Sequence, residues 1–504
     1  MLPVAGRSVL LASVGALLVG LSAHLILVFP ANVLGLVAGF ACYFRGVGLS
    51  GTRRAGFVAG YLFGVLLAGS SLYWIADVLH VLTAGERVVG AGVVGGFLML
   101  VALPYGVWGG IAGGRGGRGT AWVLFAQAPG LVLAQTLVQD MWLGFPWLHP
   151  GYWLAAGPFA GGLGGLGVRG AGLLVLHVAA CLGLWGMNPR ARRQALLAVG
   201  GLVAVSLLPE GFGAAEEGQA VSVAIVALEQ EAPAGDSERD DLGLLSRYVL
   251  ATRAAEADWV VWPESVIRDG EASLEPLGAM LGTSSQHVFA GALLPAPSGR
   301  YNALVELRSG RPVYYKRRRV PFSEYVPGRG FRWLFEKWGI HTLRTDVRAG
   351  DASQPAIDVG GVVVIPLICF EVAFTELIQP GERPAVLLHV GNEGWFRSEV
   401  LHRMTLAMSM ARSREYGLPL VRAVTHGASG FFEPRGGGWA ETDGGASSAS
   451  QPGVLRPRRT MTPFGRLSML LLLHTPSTTP RDGGSAATPG RTERTRENHL
   501  ESTD

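Results

Sequence analysis

Val362-Val363-Val364-Ile365-Pro366-Leu367-Ile368-Cys369-Phe370-Glu371 is an apolar, strand-length run that ends on a thiol and a carboxylate. A thiol at the end of a buried strand, where the chain turns, is held rigidly yet stays reachable, as a covalent nucleophile must be. Two upstream segments share this character: Trp259-Val260-Val261-Trp262-Pro263-Glu264-Ser265, and Tyr315-Lys316 followed by Val320-Pro321-Phe322-Ser323-Glu324-Tyr325-Val326-Pro327. Together they offer a thiol, a base and a cation.

Around these segments the pattern is one of short apolar runs, beginning at Val221–Leu228 and continuing through Val260–Trp262, Val288–Leu294, Ala303–Leu307 and Ala385–Val390. Helix-like stretches, Leu242–Ala257 and Leu401–Tyr416, fall between them. Strands alternating with helices predict an α/β domain. Past about residue 434 the composition changes: 436–453 is rich in Gly, Ser and Ala, and 476–504 is polar with Pro, Gly, Arg and Thr, so both read as linker or disordered tail.

The first two hundred residues differ in kind. Mean hydropathy over all 504 residues is +0.32, too apolar for an ordinary soluble enzyme and long enough for two domains. Val9–Phe44 holds two candidate spans with a break between Ser22 and Pro30, and Gly56–Leu79, Val88–Ile111, Trp122–Val138, Ala171–Met187 and the short Ala195–Leu208 bring the expected crossings to seven. Arginines collect in alternate loops, at Arg45, Arg53, Arg54, Arg115, Arg118, Arg190, Arg192 and Arg193, with Arg7 at the amino end. That asymmetry predicts a cytoplasmic N-terminus and, after an odd number of crossings, an exported α/β domain. The first segment has no small-residue cleavage site followed by polar sequence, so it reads as a retained helix.

The net charge of +4 is accounted for by cytoplasmic loops and tail, so nucleic acid is not an expected partner. Of three cysteines, Cys42 and Cys181 lie in predicted spans, which leaves Cys369 without a disulfide partner in the exported part. His402 and His426 form no ligand pair at helical or finger spacing, so no metal is expected. The glycines of 161–165 lack a helix start of nucleotide-binding type and read as a flexible loop.

In chain order, Glu264, Lys316 and Cys369 resemble the Glu-Lys-Cys triad of the nitrilase superfamily. The strings Trp262-Pro263-Glu264-Ser265, Lys316 to Pro327, Ile368-Cys369-Phe370-Glu371 and Asn392-Glu393-Gly394-Trp395-Phe396 resemble the apolipoprotein N-acyltransferases, as do Tyr73-Trp74 and Gly144-Phe145-Pro146-Trp147 in the membrane part. The resemblance runs to about residue 465. It implies a multi-span α-helical membrane domain over 1–212, an α/β nitrilase-like αββα sandwich over 218–434 with the triad at the strand ends, and a degenerate C-terminal region and disordered tail over 435–504. Thr462-Pro463-Phe464 resembles the motif before the family's final span, but only the short Leu467–Leu473 follows.

The implied reaction is a two-step acyl exchange in the bacterial inner membrane, on its periplasmic side. Cys369 takes the acyl chain from a phospholipid donor as a thioester and passes it to the α-amino group of a diacylated lipoprotein acceptor, without a cofactor and as a monomer. Glu264 is then the base and Lys316 the oxyanion's cation. Glu324 and Glu371 match family carboxylates that orient Lys316 and the thiol, Asn302 matches a position near the site, and Trp395 and Phe396 line the acyl pocket. A groove open sideways to the bilayer is expected, since exposing an acyl chain to water costs about 0.8 kcal/mol per CH₂.

Some positions depart from the pattern. Phe370 stands where tyrosine is usual, Glu393 replaces an aspartate, Met404-Thr405 a Gln-His pair, Thr425-His426 an Asn-containing pair, and Gln135 and Val138 a Glu and an Arg. The loop after Leu228 lacks the family's Q-x-N and its tryptophan. Two alternatives follow: a membrane-tethered amidase or nitrilase-type hydrolase, and a catalytically impaired paralogue.

Overall fold

The computed structural model describes residues 4–77, 87–114, 126–185, 191–207, 218–228, 242–268, 270–282, 285–321, 323–326, 333, 337, 347–394, 396, 398–434, 439–441, 453–459, 462–464 and 466. Trp395, the loop after Leu228 and the predicted short segment 467–473 lie outside them.

The N-terminal part is helical: Val4–His24 (α1), Ala31–Leu49 (α2), Arg53–Ser71 (α3), Arg87–Ala112 (α4), Gln127–Gln135 (α5), Gly161–Leu184 (α6) and Ala191–Ser206 (α7). Five of these, α1, α2, α3, α6 and α4 from Gly90 onward, are long and apolar enough to cross a membrane. Against the seven crossings expected, the last of them short, five helices among the described residues reach spanning length. The described part of the fifth predicted span is only α5 continued by a π-helical turn, Thr136–Trp142. The last is a 16-residue helix, reaching about 24 Å against an apolar thickness of about 30 Å.

Small residues set the helix packing, because lipid offers no hydrophobic gain for helix association and close backbone contact must supply it. Gly60 of α3 lies so close to α4 that a β-carbon there would overlap the Tyr105 carbonyl. Buried amides pair inside the bundle: Gln135 donates to Tyr105 Oη at 3.1 Å and Gln139 to the Val101 carbonyl at 3.0 Å. The glycines of 161–165, expected in a loop, instead open α6. The helix breaks at Gly167, where φ is 68° and ψ 175°, and resumes at Val168.

The second part contains β1 (Val221–Ile225), α8 (Leu242–Ala254), β2 (Trp259–Val261), α9 (Leu274–Leu281), β3 (His287–Pro295), β4 (Arg300–Glu306), β5 (Arg311–Tyr315), β6 (Val347–Arg348), β7 (Ile357–Val359), β8 (Val362–Ile368), β9 (Ala385–Asn392), α10 (Glu399–Tyr416), β10 (Leu420–Thr425), β11 (Gly430–Phe432), β12 (Trp439–Glu441) and β13 (Gly453–Leu455). One sheet has the order β13-β1-β2-β3-β4-β5 with β6 beside β4, and the other β12-β11-β10-β9-β8-β7. Val223, Val261, Phe289 and Leu304 of the first sheet share a core with Val364, Leu388 and Val421 of the second.

The outer face of the first sheet is covered by α8 and α9. Val363, Ile365 and Leu367 turn the outer face of the second sheet toward α10, and this core continues without a break into the membrane bundle. The expected αββα sandwich is thus present, with α10 lying between a sheet and the spans. Being covered on both sides, α10 is buried around its circumference instead of along one stripe.

The boundary expected at residue 434 is corrected. Val223 pairs with Gly453 in an antiparallel ladder, so β12 and β13 complete the sheets from a stretch whose composition resembles a linker. Phe464 goes further, packing on the helix break at Gly167 and edge-on to Tyr416 at 5.9 Å. Gly167 has no side chain to obstruct that ring.

At this joint α10 carries two fully buried charges. Arg412 Nη1 lies 2.5 Å from Glu415 Oε2, an ion pair without hydrogen-bond alignment. Arg412 also donates to Tyr152 Oη at 3.1 Å, and Glu415 Oε1 accepts from the Val168 N–H at 2.6 Å. Glu415 thereby satisfies an amide that the break in α6 would leave orphaned. Glu415→Ala strands a buried guanidinium and should destabilise the protein by about 3–5 kcal/mol, read as an earlier thermal unfolding in detergent, with Glu415→Gln intermediate because it can still accept from Val168.

Candidate active site

Three strand ends meet at the site, and each carries a non-glycine residue at positive φ: Ser265 at 55°, Cys369 at 54° and His426 at 56°. Left-handed backbone costs a side-chain-bearing residue roughly 1–3 kcal/mol and persists only where the surroundings impose it. At Cys369 the imposed turn lifts the thiol off the end of β8.

Lys316 leaves β5 and is 1% exposed. Its ammonium donates to Glu324 Oε1 at 2.8 Å and Glu264 Oε1 at 3.3 Å. Glu264 Oε1 also accepts from Asn302 Nδ2 at 2.6 Å, and its Oε2 from the Asn392 N–H at 2.8 Å. Glu324 Oε2 accepts from the Val320 N–H at 2.7 Å. A buried ammonium between two carboxylates is thus closed by an amide and two backbone donors. Burial by itself would drive Lys316 toward its neutral form, but Glu264 and Glu324 outweigh it and hold its pKa well above the usual lysine range.

Cys369 lies within the field of this cluster. Burial raises its thiol pKa well above the usual value, the negative charge of Glu264 raises it further, and Lys316 pulls the other way; Glu324 and Glu393 add smaller upward pushes. The resting thiol is therefore neutral, and to act as a nucleophile it would have to give its proton to a carboxylate as it attacks.

Glu371 follows Cys369 but works on backbone. Fully buried, it accepts from Tyr314 Oη at 3.0 Å and from the N–H groups of Ile368 at 2.9 Å, Arg317 at 2.6 Å and Arg318 at 3.0 Å. It therefore clamps the turn that bears the thiol to the segment that bears the cation. Glu324 and Glu371 are expected together to orient Lys316 and the thiol; Glu324 contacts the ammonium directly and Glu371 contacts the flanking amides, with Tyr314 a partner that no motif indicated.

An apolar cavity of about 800 Å³, its open mouth included, has Cys369 in its wall. Trp74, Val93, Phe97, Phe145 and Trp147 line it from the helical part, and Phe370, Phe396 and Leu401 from the α/β part. Phe145 and Trp147 stack at 5.4 Å, both lie against Phe370 at 5.8 and 5.9 Å, and Trp74 meets Phe396 edge-on at 5.3 Å. Among the residues expected here, Phe396 lines the cavity and Trp395 lies outside the described residues. Phe370 is packed between aromatic faces, where a hydroxyl would need a partner.

Glu393 and Thr405 also line the cavity: Glu393 is paired with buried Arg422 and accepts from Thr405 Oγ1 at 2.6 Å. This set uses two of the departures noted in the sequence and was not expected as a unit. Among the described residues no group of three His, Cys, Asp or Glu side chains is placed to hold a metal.

The chain is similar to known proteins in sequence. A family model described as the apolipoprotein N-acyltransferase N-terminal domain matches residues 14–181. The apolipoprotein N-acyltransferase of Azotobacter vinelandii is 30% identical over 75% of this chain and 76% of its own length. That of Pseudomonas syringae pv. tomato is 26% identical over 81% of this chain and 87% of its own. Among solved structures, a CN-hydrolase superfamily protein from Xanthomonas campestris aligns over 52% of this chain and 99% of its own at 17% identity, with a TM-score of 0.33.

The opposed fields at the thiol give a signed prediction. In alkylation of Cys369 followed against pH, Lys316→Met removes the stabilising cation and should move the midpoint up. Glu264→Gln removes the anion that acts on it most strongly and should move it down. Movement of both midpoints in one direction would contradict the arrangement.

Proposed function

We propose that this chain, which belongs to the apolipoprotein N-acyltransferase family, moves a fatty acyl chain from a membrane phospholipid, through a thioester on Cys369, to the α-amino group of a lipid-modified N-terminal cysteine on a lipoprotein. The observation that supports this reading is the cavity: an aromatic pocket walled by membrane helices and α/β loops together, with Cys369 in its wall and a buried Glu-Lys-Glu cluster acting on that thiol.

Cys369 Sγ attacks the ester carbonyl carbon while Glu264 takes the thiol proton. The developing oxyanion faces the Lys316 ammonium, which Glu324 and Asn302 keep in place. Collapse breaks the bond to the glycerol oxygen, and Glu264 returns the proton to the departing lysophospholipid. In the second step a neutral α-amine attacks the thioester, Glu264 removes its proton, and the thiol is regenerated as the amide forms. No cofactor is needed.

Phe370, Phe396 and Trp395 line the acyl pocket in this reading, and Glu371 keeps the thiol turn and the cation segment in register. The enzyme acts as a monomer in the bacterial inner membrane. Its helical domain spans about 1–212, its catalytic domain runs from 218 through β13, and the catalytic face is periplasmic, as the arginine-rich alternate loops favour.

Full-length protein incubated with phospholipid and a diacylated lipopeptide should release lysophospholipid and form a triacylated product. Cys369→Ala should yield neither. Release of free fatty acid in place of lipopeptide acylation would assign the chain to the hydrolases, and no cysteine-dependent product at all would mark an impaired paralogue.

A further inference from the structure

His389 belongs to none of the motifs that pointed to the site, yet it reaches the nucleophile. It lies on β9 in register with Leu367 of β8, two residues before Cys369, and so on the face that leads to the thiol turn. Its side chain is 1% exposed and forms part of the cavity wall. Nε2 lies 3.1 Å from the Cys369 carbonyl oxygen and Nδ1 lies 2.8 Å from Ser409 Oγ. The next residue on this face is Gly391, where even a β-carbon would come within 3.9 Å of both Cys369 Cα and His389 Nε2.

These contacts assign the tautomer. A carbonyl oxygen only accepts, so Nε2 carries the proton, and a neutral ring then presents a lone pair at Nδ1 to the Ser409 hydroxyl. Ser409 Oγ also lies 2.8 Å from the Thr405 carbonyl, so its one proton is contested between that carbonyl and Nδ1, and it would go wholly to the carbonyl if the ring were a cation. Burial, with Arg422 and Lys316 nearby, pushes His389 well below the usual histidine pKa and disfavours that form.

We propose that His389 is a positioning residue for the nucleophile: its Nε2–H fixes the Cys369 carbonyl, and with it the left-handed turn that presents Sγ to the cavity. Cys369 has a side chain and must be held at φ 54°. Glu371 anchors the amide on one side of the turn, at Ile368, and His389 anchors the carbonyl on the other. Ser409, from α10, sets the ring so that the proton faces the carbonyl. The inference rests on the acyl-transfer reading for its consequence, though its geometry concerns the thiol alone.

The test uses full-length protein in detergent, with iodoacetamide labelling read at the Cys369 peptide by mass spectrometry and single-turnover release of lysophospholipid measured in parallel. In folded His389→Leu both rates should fall by about tenfold or more, because a small displacement of a reacting atom has effects of that order, while KM for the phospholipid is unchanged. His389→Gln, whose amide can still donate to the carbonyl, should recover most of the loss, and Ser409→Ala should show a partial one.

Wild-type rates in His389→Leu would overturn the proposal, as would a His389→Gln that folds but reacts no faster than His389→Leu. If His389→Leu does not fold, the other two decide: near-wild-type His389→Gln with a slowed Ser409→Ala supports the role, and an unchanged Ser409→Ala sinks it. Labelling needs no lipid, so a wild type that labels but releases no lysophospholipid counts against the acyl-transfer reading alone.

Discussion

An ammonium that is 1% exposed has to be neutralised where it sits, because an unpaired buried charge costs several kcal/mol. Lys316 meets that demand with two carboxylates from different parts of the chain, Glu264 after β2 and Glu324 in the loop beyond β5. Asn302 of β4 and the Asn392 amide at the end of β9 then satisfy Glu264. One buried charge thus draws together four strand ends from both sheets, and the active centre is rigid because its own electrostatics require every partner.

The same cluster sets the behaviour of the thiol. Burial and three anions, Glu264 foremost, oppose ionisation of Cys369, and one cation favours it, so a thiolate is not stored in the resting state. Attack and proton removal must coincide, which ties the nucleophile's strength to the presence of an acyl carbonyl beside Lys316. A neutral thiol also suits the cavity around it, whose walls are largely aromatic and aliphatic. Phe370 fits that setting: stacked on Phe145 and Trp147 and edge-on to Phe374, it contributes a ring where a phenol would bring an oxygen to be satisfied.

The parts of this arrangement that were legible in the sequence are those that local pattern encodes. Buried strands such as Val362–Ile368 show as apolar runs, and Glu264, Lys316 and Cys369 stand at their punctuated ends. What escaped depends on neighbours distant in the chain. The three-residue strands β11, β12 and β13 are too short to have a period, and the last two arise in Gly- and Ser-rich sequence because an existing sheet edge orders them. Arg412 and Glu415 have the spacing of an ordinary solvated helix pair, and only burial of α10 on both sides makes them a joint. His389, inside an apolar strand, gave no sign that its ring would lie against Cys369. The glycines of 161–165 read as a loop because helix propensity is overridden where close packing asks for small residues.

These hidden features share one helix. Leu401 and Thr405 of α10 line the cavity, Ser409 orients His389, and Arg412 and Glu415 lock onto Tyr152 and Val168 of the membrane part. Successive turns of a single rigid element therefore refer the pocket wall, the nucleophile's turn and the bilayer helices to one axis. A buried ion pair adds little net stability compared with apolar packing, but it tolerates no sliding, since any slip would strand a charge. The proposed thioester would need that register: a loosened joint would part Phe145 and Trp147 from Phe370 and admit water to the cavity. The membrane domain is in this sense half of the active site, and α10 is the element that keeps the two halves in step.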